Sequence, residues 1–327
     1  MAPLTGADAL TSWQFAPLVS AVLTLMAAVY LSAAWVVGRR HPARPWPVSR
    51  TGSFLLGLAV IAVATQSSVA VYDDVLFSAH MVQHLLLIMV APPMLVFARP
   101  VTLLLHATRN PLHTRLKRVL RSRVVSALTW PPAAMTLYGA VVIGTHLTPL
   151  MNLVLENPAV HQAEHVLYLV TGYLYFLPVI GSEPLRWRMP VFGRFLLLLA
   201  TMPVDTVVGL VLMLASHELF PAYARAGRPW GPGLVADLHH GGLVMLAGSD
   251  LIMTVLAVTL AASLVRGPER SPVGLLGDLE AYNAYLAALD SRHARETGRL
   301  PVAPASRGGR LSFPVLTAPP APPGRCR

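Results

Sequence analysis

His80 and His84 stand four residues apart in Ser78-Ala79-His80-Met81-Val82-Gln83-His84-Leu85, at the head of an apolar run. On a helix that spacing puts both imidazoles on one face, with β-carbons roughly 5–6 Å apart. Two such nitrogens can hold one metal ion. His161 and His165 repeat the spacing with Glu164 between them, and Asp237, His239 and His240 form a third group. Neighbours on a helix are about 100° apart, so one of His239 and His240 is expected at a shared centre and the other beside it. A lone histidine at a helix end is commonly an interfacial cap; the repeated pair favours ligation. Neutral imidazole suits zinc, copper, iron and nickel, and thioether suits copper(I). Histidines with few carboxylates and no thiols lean towards copper, with zinc and haem as the other compatible occupants.

Further polar residues extend the pattern. Gln83, Glu164 and Asp237 are expected to orient the ligands rather than bind the ion. Asp205, in Met202-Pro203-Val204-Asp205, and Asp250, in Gly248-Ser249-Asp250, fall inside apolar runs that offer no Lys or Arg to pair with them. They are expected to be hydrogen-bonded, or to face water, a metal or one another. Met81 adjoins His80, and Met89, Met94, Met202, Met245 and Met253 lie within apolar runs. Such methionines are chiefly core filler.

The elements that carry these residues are membrane helices. Of 327 residues, 54% are hydrophobic and 12% charged, against about 25% charged in a soluble domain. Seven apolar runs read as spans, near residues 13–37, 52–71, 77–98, 125–145, 161–180, 195–215 and 235–265, since a span needs about 20 apolar residues. The fold class is all-α, a polytopic membrane protein with seven transmembrane helices. Pro92-Pro93 should kink the third, and Pro131-Pro132 should separate a short interfacial helix from the fourth. The division is an N-terminal segment 1–12, a membrane domain 13–265, an amphipathic segment 266–300 and a basic, Pro-rich tail 301–327 without periodicity. Leu275, Leu279, Tyr282, Leu286 and Leu289 carry the helical spacing of the third part; the tail has the composition of a disordered segment.

Charge gives the orientation. The formal net charge is +10, and 23 of the 25 Lys and Arg fall on one side of the seven-span scheme, leaving only Arg225 and Arg228 on the other. The positive-inside rule makes the basic side cytoplasmic, with the N-terminus outside and the C-terminus inside. It also explains the charge without a nucleic-acid partner. The single cysteine, Cys326, excludes a disulfide or a CxxC site. No Lys or Arg precedes the first run, so that run is expected to stay as a helix rather than be cleaved. Eight of the twelve histidines (80, 84, 146, 161, 165, 217, 239 and 240) then fall on the outer side. The third, fifth and seventh helices all run inward and are expected to bring their histidines together near the outer face.

At these residues the chain resembles a known family. His80-Met81-Val82-Gln83-His84-Leu85 followed by Ala91-Pro92-Pro93, His161-Gln162-Ala163-Glu164-His165, Met202-Pro203-Val204-Asp205 and Asp237-Leu238-His239-His240-Gly241-Gly242 occur in the order seen in seven-helix CtaG-type cytochrome c oxidase assembly factors. These are proteins of bacterial plasma membranes, distinct from the single-span copper chaperones that share the name. The resemblance covers roughly residues 13–265. It implies a role in maturing a haem-copper oxidase by delivering or placing copper, with oxidase subunits and other copper chaperones as partners and no enzymatic turnover. Two other classes remain compatible with the residues: a copper or proton-coupled permease using Asp205 and Asp250, and a haem-binding electron-transfer protein. Both lack a matching set of histidines at the inner ends of the spans.

Overall fold

The computed structural model describes residues 11–266 apart from Arg44, Ser182 and Arg188. The amphipathic segment and the tail lie outside the described residues. Among the described residues, fourteen α-helices and one π-turn account for the regular structure, and no strand occurs. The helices are α1 (Pro17–Arg40), α2 (Val48–Gln66), α3 (Ser68–Tyr72), α4 (Phe77–Leu85), α5 (Ala91–Phe97), α6 (Pro100–Ala107), α7 (Leu112–Leu120), α8 (Arg123–Leu128), α9 (Pro131–His146), α10 (Leu150–Glu156), α11 (Pro158–Ile180), α12 (Val191–Met213), α13 (Pro221–Arg225) and α14 (Leu234–Arg266).

Proline sets many of the starts. It occupies the first turn of α1, α5, α6, α9, α11 and α13, where its missing N–H and fixed φ cost nothing. Trp130 and Pro131 divide α8 from α9, as the sequence suggested. Pro92-Pro93 acts differently from a simple kink. The helix widens into a π-turn over Leu86–Val90 and restarts as α5, so the prolines fall in a new first turn.

Among the described residues, six stretches are long and apolar enough to cross a membrane: Pro17–Arg40, Val48–Tyr72, Phe77–Ala107, Pro158–Ile180, Val191–Met213 and Leu234–Ala262. A seventh exists if Pro131–His146 and Leu150–Glu156, bent by 70° to each other, count as one span. The 16 residues of α9 rise only about 24 Å at 1.5 Å per residue, short of a bilayer core of about 30 Å.

The stretch Phe77–Ala107 is the central one. Its α4 packs on α14, its α5 on α2 and α11, and its α6 on α1, while α12 lies along α14. In lipid, helices gain little from burying apolar area and associate instead by close packing at small residues. Gly172 of α11 is such a point. Pro92 cannot donate a hydrogen bond to the Ile88 carbonyl one turn back, and that freed oxygen faces Gly172. A β-carbon at 172 would collide with it and lie 2.7 Å from Pro92 Cγ. On the other side, a β-carbon on Gly242 of α14 would lie 2.8 Å from the Gly209 carbonyl oxygen of α12. The first contact fixes α11 against the π-turn and α5, and the second fixes α14 against α12.

Candidate metal centre

Two helix starts bring the histidines together. Asn157 caps α11 by accepting hydrogen bonds from the Ala159 and Val160 N–H groups at 3.0 and 3.4 Å. His161, Glu164 and His165 then fall on one face of its first turns. Asp237 of α14 caps α4, accepting from Phe77 N–H at 2.8 Å, Ser78 N–H at 3.3 Å and Ser78 Oγ at 2.6 Å. Arg228 neutralises that carboxylate at 3.1 Å. With both starts fixed, His80 stacks on His161 with ring centroids 5.1 Å apart and planes 7° from parallel. All of His80, His84, His146, His161, His165, Glu164, Gln83 and Asp73 are buried.

Hydrogen bonds fix where the lone pairs point. His146 Nδ1 donates to the Val142 carbonyl at 2.8 Å. Its Nε2 is therefore an acceptor, and it lies 3.4 Å from His84 Nδ1. That leaves the neutral His84 ring with a lone pair on Nε2, 3.3 Å from Glu164 Oε2. The same oxygen is 3.4 Å from His80 Nε2. A parallel chain runs through Gln83. Its amide donates to the Ala64 carbonyl at 2.9 Å and to Asp73 Oδ2 at 2.8 Å. Its oxygen accepts from His165 Nε2 at 2.9 Å, so the His165 lone pair is on Nδ1. Tyr168 closes the lower side, its ring stacked on His84 at 4.0 Å and its hydroxyl on Thr145 at 2.5 Å.

The cluster's remaining atoms have no hydrogen-bond partner: both nitrogens of His80, Nε2 of His84 and His161, Nδ1 of His165 and both oxygens of Glu164. Each unsatisfied buried polar group costs about 1–3 kcal/mol, and here seven converge. A lone pair facing a carboxylate is repulsive unless a proton or a metal cation lies between them. Among the described residues, two sets offer three ligand atoms all within 4.8 Å of one another: Asp73, His161 and His165, and His80, His161 and Glu164. Three ligands bound to one ion at about 2.0–2.1 Å stand about 3.4–3.6 Å apart, so either set would close on an ion by drawing its ligand atoms together by up to about 1 Å. The donor atoms and their burial fit a transition-metal ion.

Asp73 and Asp74 lie in the turn ahead of α4. Burial pushes the Asp73 carboxyl up to about 7, against the opposing pull of His80 and of the Gln83 amide. Asp74 is open to water, its side chain 63% exposed, and its Oδ1 lies 3.5 Å from His161 Nδ1.

A profile of the family described as cytochrome c oxidase caa3 assembly factor (Caa3_CtaG) matches residues 28–267, which include every residue of the cluster. The chain belongs to that family. It is 32% identical over 304 residues to uncharacterized proteins of Mycobacterium bovis (Mb0105) and Mycobacterium tuberculosis (MT0111), covering 88% of this chain and 46% of each relative. An uncharacterized protein of Mycobacterium leprae (ML1998) is 29% identical over 296 residues, 85% of this chain and 45% of that protein. The chain spans about half the length of these curated relatives. No solved structure matches it.

In this member of the family, the expectation that three helices share one centre is corrected at the third. His239 donates from Nε2 to the Ala215 carbonyl at 2.8 Å, closing the end of α12, and His240 is exposed. The cause is helix phase. Gly241 and Gly248 of α14 face Phe77 and Leu85 of α4, whereas Gly242, in phase with His239, faces α12. Only Asp237 reaches α4, as a cap. Glu164 stands among the candidate ligands rather than behind them. Asp205 and Asp250 lie deeper: the Tyr138 hydroxyl sits 2.9 Å from both oxygens of Asp205, and Thr206 donates to Asp250 at 3.2 Å. Met81, Met89 and Met245 line a cavity of about 20 Å³ between His84, His146 and Asp205, room for about one water. Asp73, Asp74, His146 and Tyr168 are the cluster members that sequence reasoning left out.

Proposed function

We propose that this assembly factor takes up a copper ion in the histidine cluster and hands it on for maturation of a haem-copper oxidase, with no turnover of its own. The observation that carries the reading is the convergence of His80 Nε2 and His84 Nε2 on one buried carboxylate oxygen, Glu164 Oε2, at 3.4 and 3.3 Å. The copper is cargo: His80, His84, His161 and Glu164 would hold it, His146 and Tyr168 keep His84 aimed, and Gln83 braces Asp73 and His165 beside them. Imidazole and carboxylate donors without a thiolate suit the divalent ion, and copper(II) stands above zinc in the affinity order for nitrogen sites.

The reading includes a topology. With α9 and α10 as one bent span there are seven, the N-terminus outside, the basic segments cytoplasmic and the cluster near the outer face of a bacterial plasma membrane. Oxidase subunits and copper chaperones would then meet the protein on that face. Face-to-face packing of His80 on His161 leaves no gap for a macrocycle, which speaks against haem. A permease would need a second station across the bilayer; among the described residues both three-residue groups lie at one end.

The test is the metal content of the purified wild type and of the double variant His84→Ala, His165→Ala, alongside oxidase activity in cells. Copper in the wild type, its loss in the variant and a fall in active oxidase support the reading. A wild type that binds no copper, or a variant supporting normal oxidase, sinks it.

A further inference from the structure

We propose that the two three-residue groups are successive stations on one route into the cluster, joined at His161 and opened to water by Asp74. This rests on the reading that the cluster takes up a metal ion. His161 is the residue common to both groups. A neutral imidazole carries one lone pair, so His161 serves one group at a time. The chain therefore holds one ion, not two, and His161 keeps hold of it while its other ligands change.

Exposure falls step by step along the route. The Asp74 side chain is 63% exposed, His161 10%, Asp73 4%, Glu164 3% and His80 0%. Asp74 Oδ1 faces His161 Nδ1 at 3.5 Å, and Asp73 Oδ2 faces His161 Nε2 at 3.6 Å. A proton held on Nδ1 towards Asp74 leaves Nε2 free for the ion. The first station, Asp73, His161 and His165, is braced by Gln83, which bonds both Asp73 and His165. The second, His80, His161 and Glu164, has a fourth donor in reach, His84 Nε2. It has more ligands and less water, so the ion comes to rest there. Asp74 carries a negative charge at the mouth, attracting a cation and passing it to His161.

The full chain in lipid nanodiscs, titrated with copper(II) chloride alone, tests this by stoichiometry and by stopped-flow loading and release to a chelator. Wild type is expected to bind one ion per chain. Asp74→Asn should slow loading and release together by several-fold. His165→Ala should slow loading while leaving a slowly released ion. Glu164→Gln should retain an ion that escapes several-fold faster than from wild type. Two ions per chain would overturn the proposal, as would wild-type loading rates in both Asp74→Asn and His165→Ala. The exposed Asp74 variant keeps the test decisive if a buried one fails to fold. A wild type that binds no copper at all would instead defeat the underlying reading of the cluster.

Discussion

The two ends of the helix bundle solve the problem of polar groups near a membrane in opposite ways. At the basic end the guanidinium groups find partners. Arg40 donates to the Ala107 carbonyl at 2.7 Å, and Arg194 to Met189 and Ile180 at 3.0 and 3.1 Å. Arg39, Arg50 and Arg186 lie over Trp35, Trp46 and Trp187 at 4.7, 4.8 and 5.4 Å. Cation–π contacts of this kind suit an interface, where one side is apolar and the other wet. At the histidine end there are fewer charges, yet imidazoles and a carboxylate are buried against one another with seven polar atoms unpartnered. The difference teaches that charge density marks orientation, while unsatisfied burial marks the candidate site. A reading led by the +10 net charge would look at the wrong end.

Substitutions should separate the ends, and the largest effect is expected at Glu164. After dialysis against a chelator, Glu164→Ala should hold far less copper than wild type, measured by elemental analysis, while Arg39→Gln at the basic end should leave metal content as in wild type. Copper retained at the wild-type level in Glu164→Ala would erase the contrast. Next is Gln83→Leu, which removes the brace between Asp73 and His165; copper affinity should fall about 10–100-fold, as for other groups that orient ligands.

Packing gives a smaller, different signal. Gly172→Ala drives a methyl into the Ile88 carbonyl and should cost about 1–3 kcal/mol in stability, the usual range for overpacking. Gly144→Ala, with nothing within 4 Å of the new methyl, should be neutral or stabilising. Thermal unfolding in detergent compares the two, and equal melting points would remove Gly172 as a register contact. The smallest effect is at the basic end. Glu183, in the loop after α11, caps α6 by accepting from Val101 N–H, Thr102 N–H and Thr102 Oγ. Burial raises its carboxyl above the ordinary 4.5. The folded protein then holds the proton more tightly than the unfolded chain, so this contribution is full below about pH 4.5 and is lost as pH rises through the folded value. Glu183→Gln should flatten that part of the pH profile of stability.

How much of this was legible in the sequence follows from the kind of signal each residue gives. His80, His84, His161 and His165 announced themselves because four-residue spacing inside apolar helices has one geometric meaning. Asp73 and Asp74 gave no such signal, since acidic residues in a turn between spans are ordinary. His146, at the last residue of α9, had no spaced partner to flag it. His239 and His240 looked as good as the others and were misread, because their direction depends on which glycine of Gly241-Gly242 meets which neighbour. The prolines marked the break at residue 92, but the widening into a π-turn depends on the chain accommodating the freed carbonyls, which spacing alone does not reveal.

The contact between the Ile88 carbonyl and Gly172 has a mechanical consequence. A contact between side chains tolerates slip by changing rotamer, whereas one between two backbones does not. Moving α11 by one residue, about 1.5 Å, would drive the β-carbon of Thr171 or Tyr173 against that oxygen. The histidine pairs above it are thereby locked in phase. Bilayers differ in thickness by several ångströms, and a membrane protein must tilt, bend or thin its lipid to match. Here the room to adjust lies elsewhere, in the 70° bend after α9. The protein can be squeezed or stretched by its membrane at the periphery while the spacing of the four imidazoles stays constant.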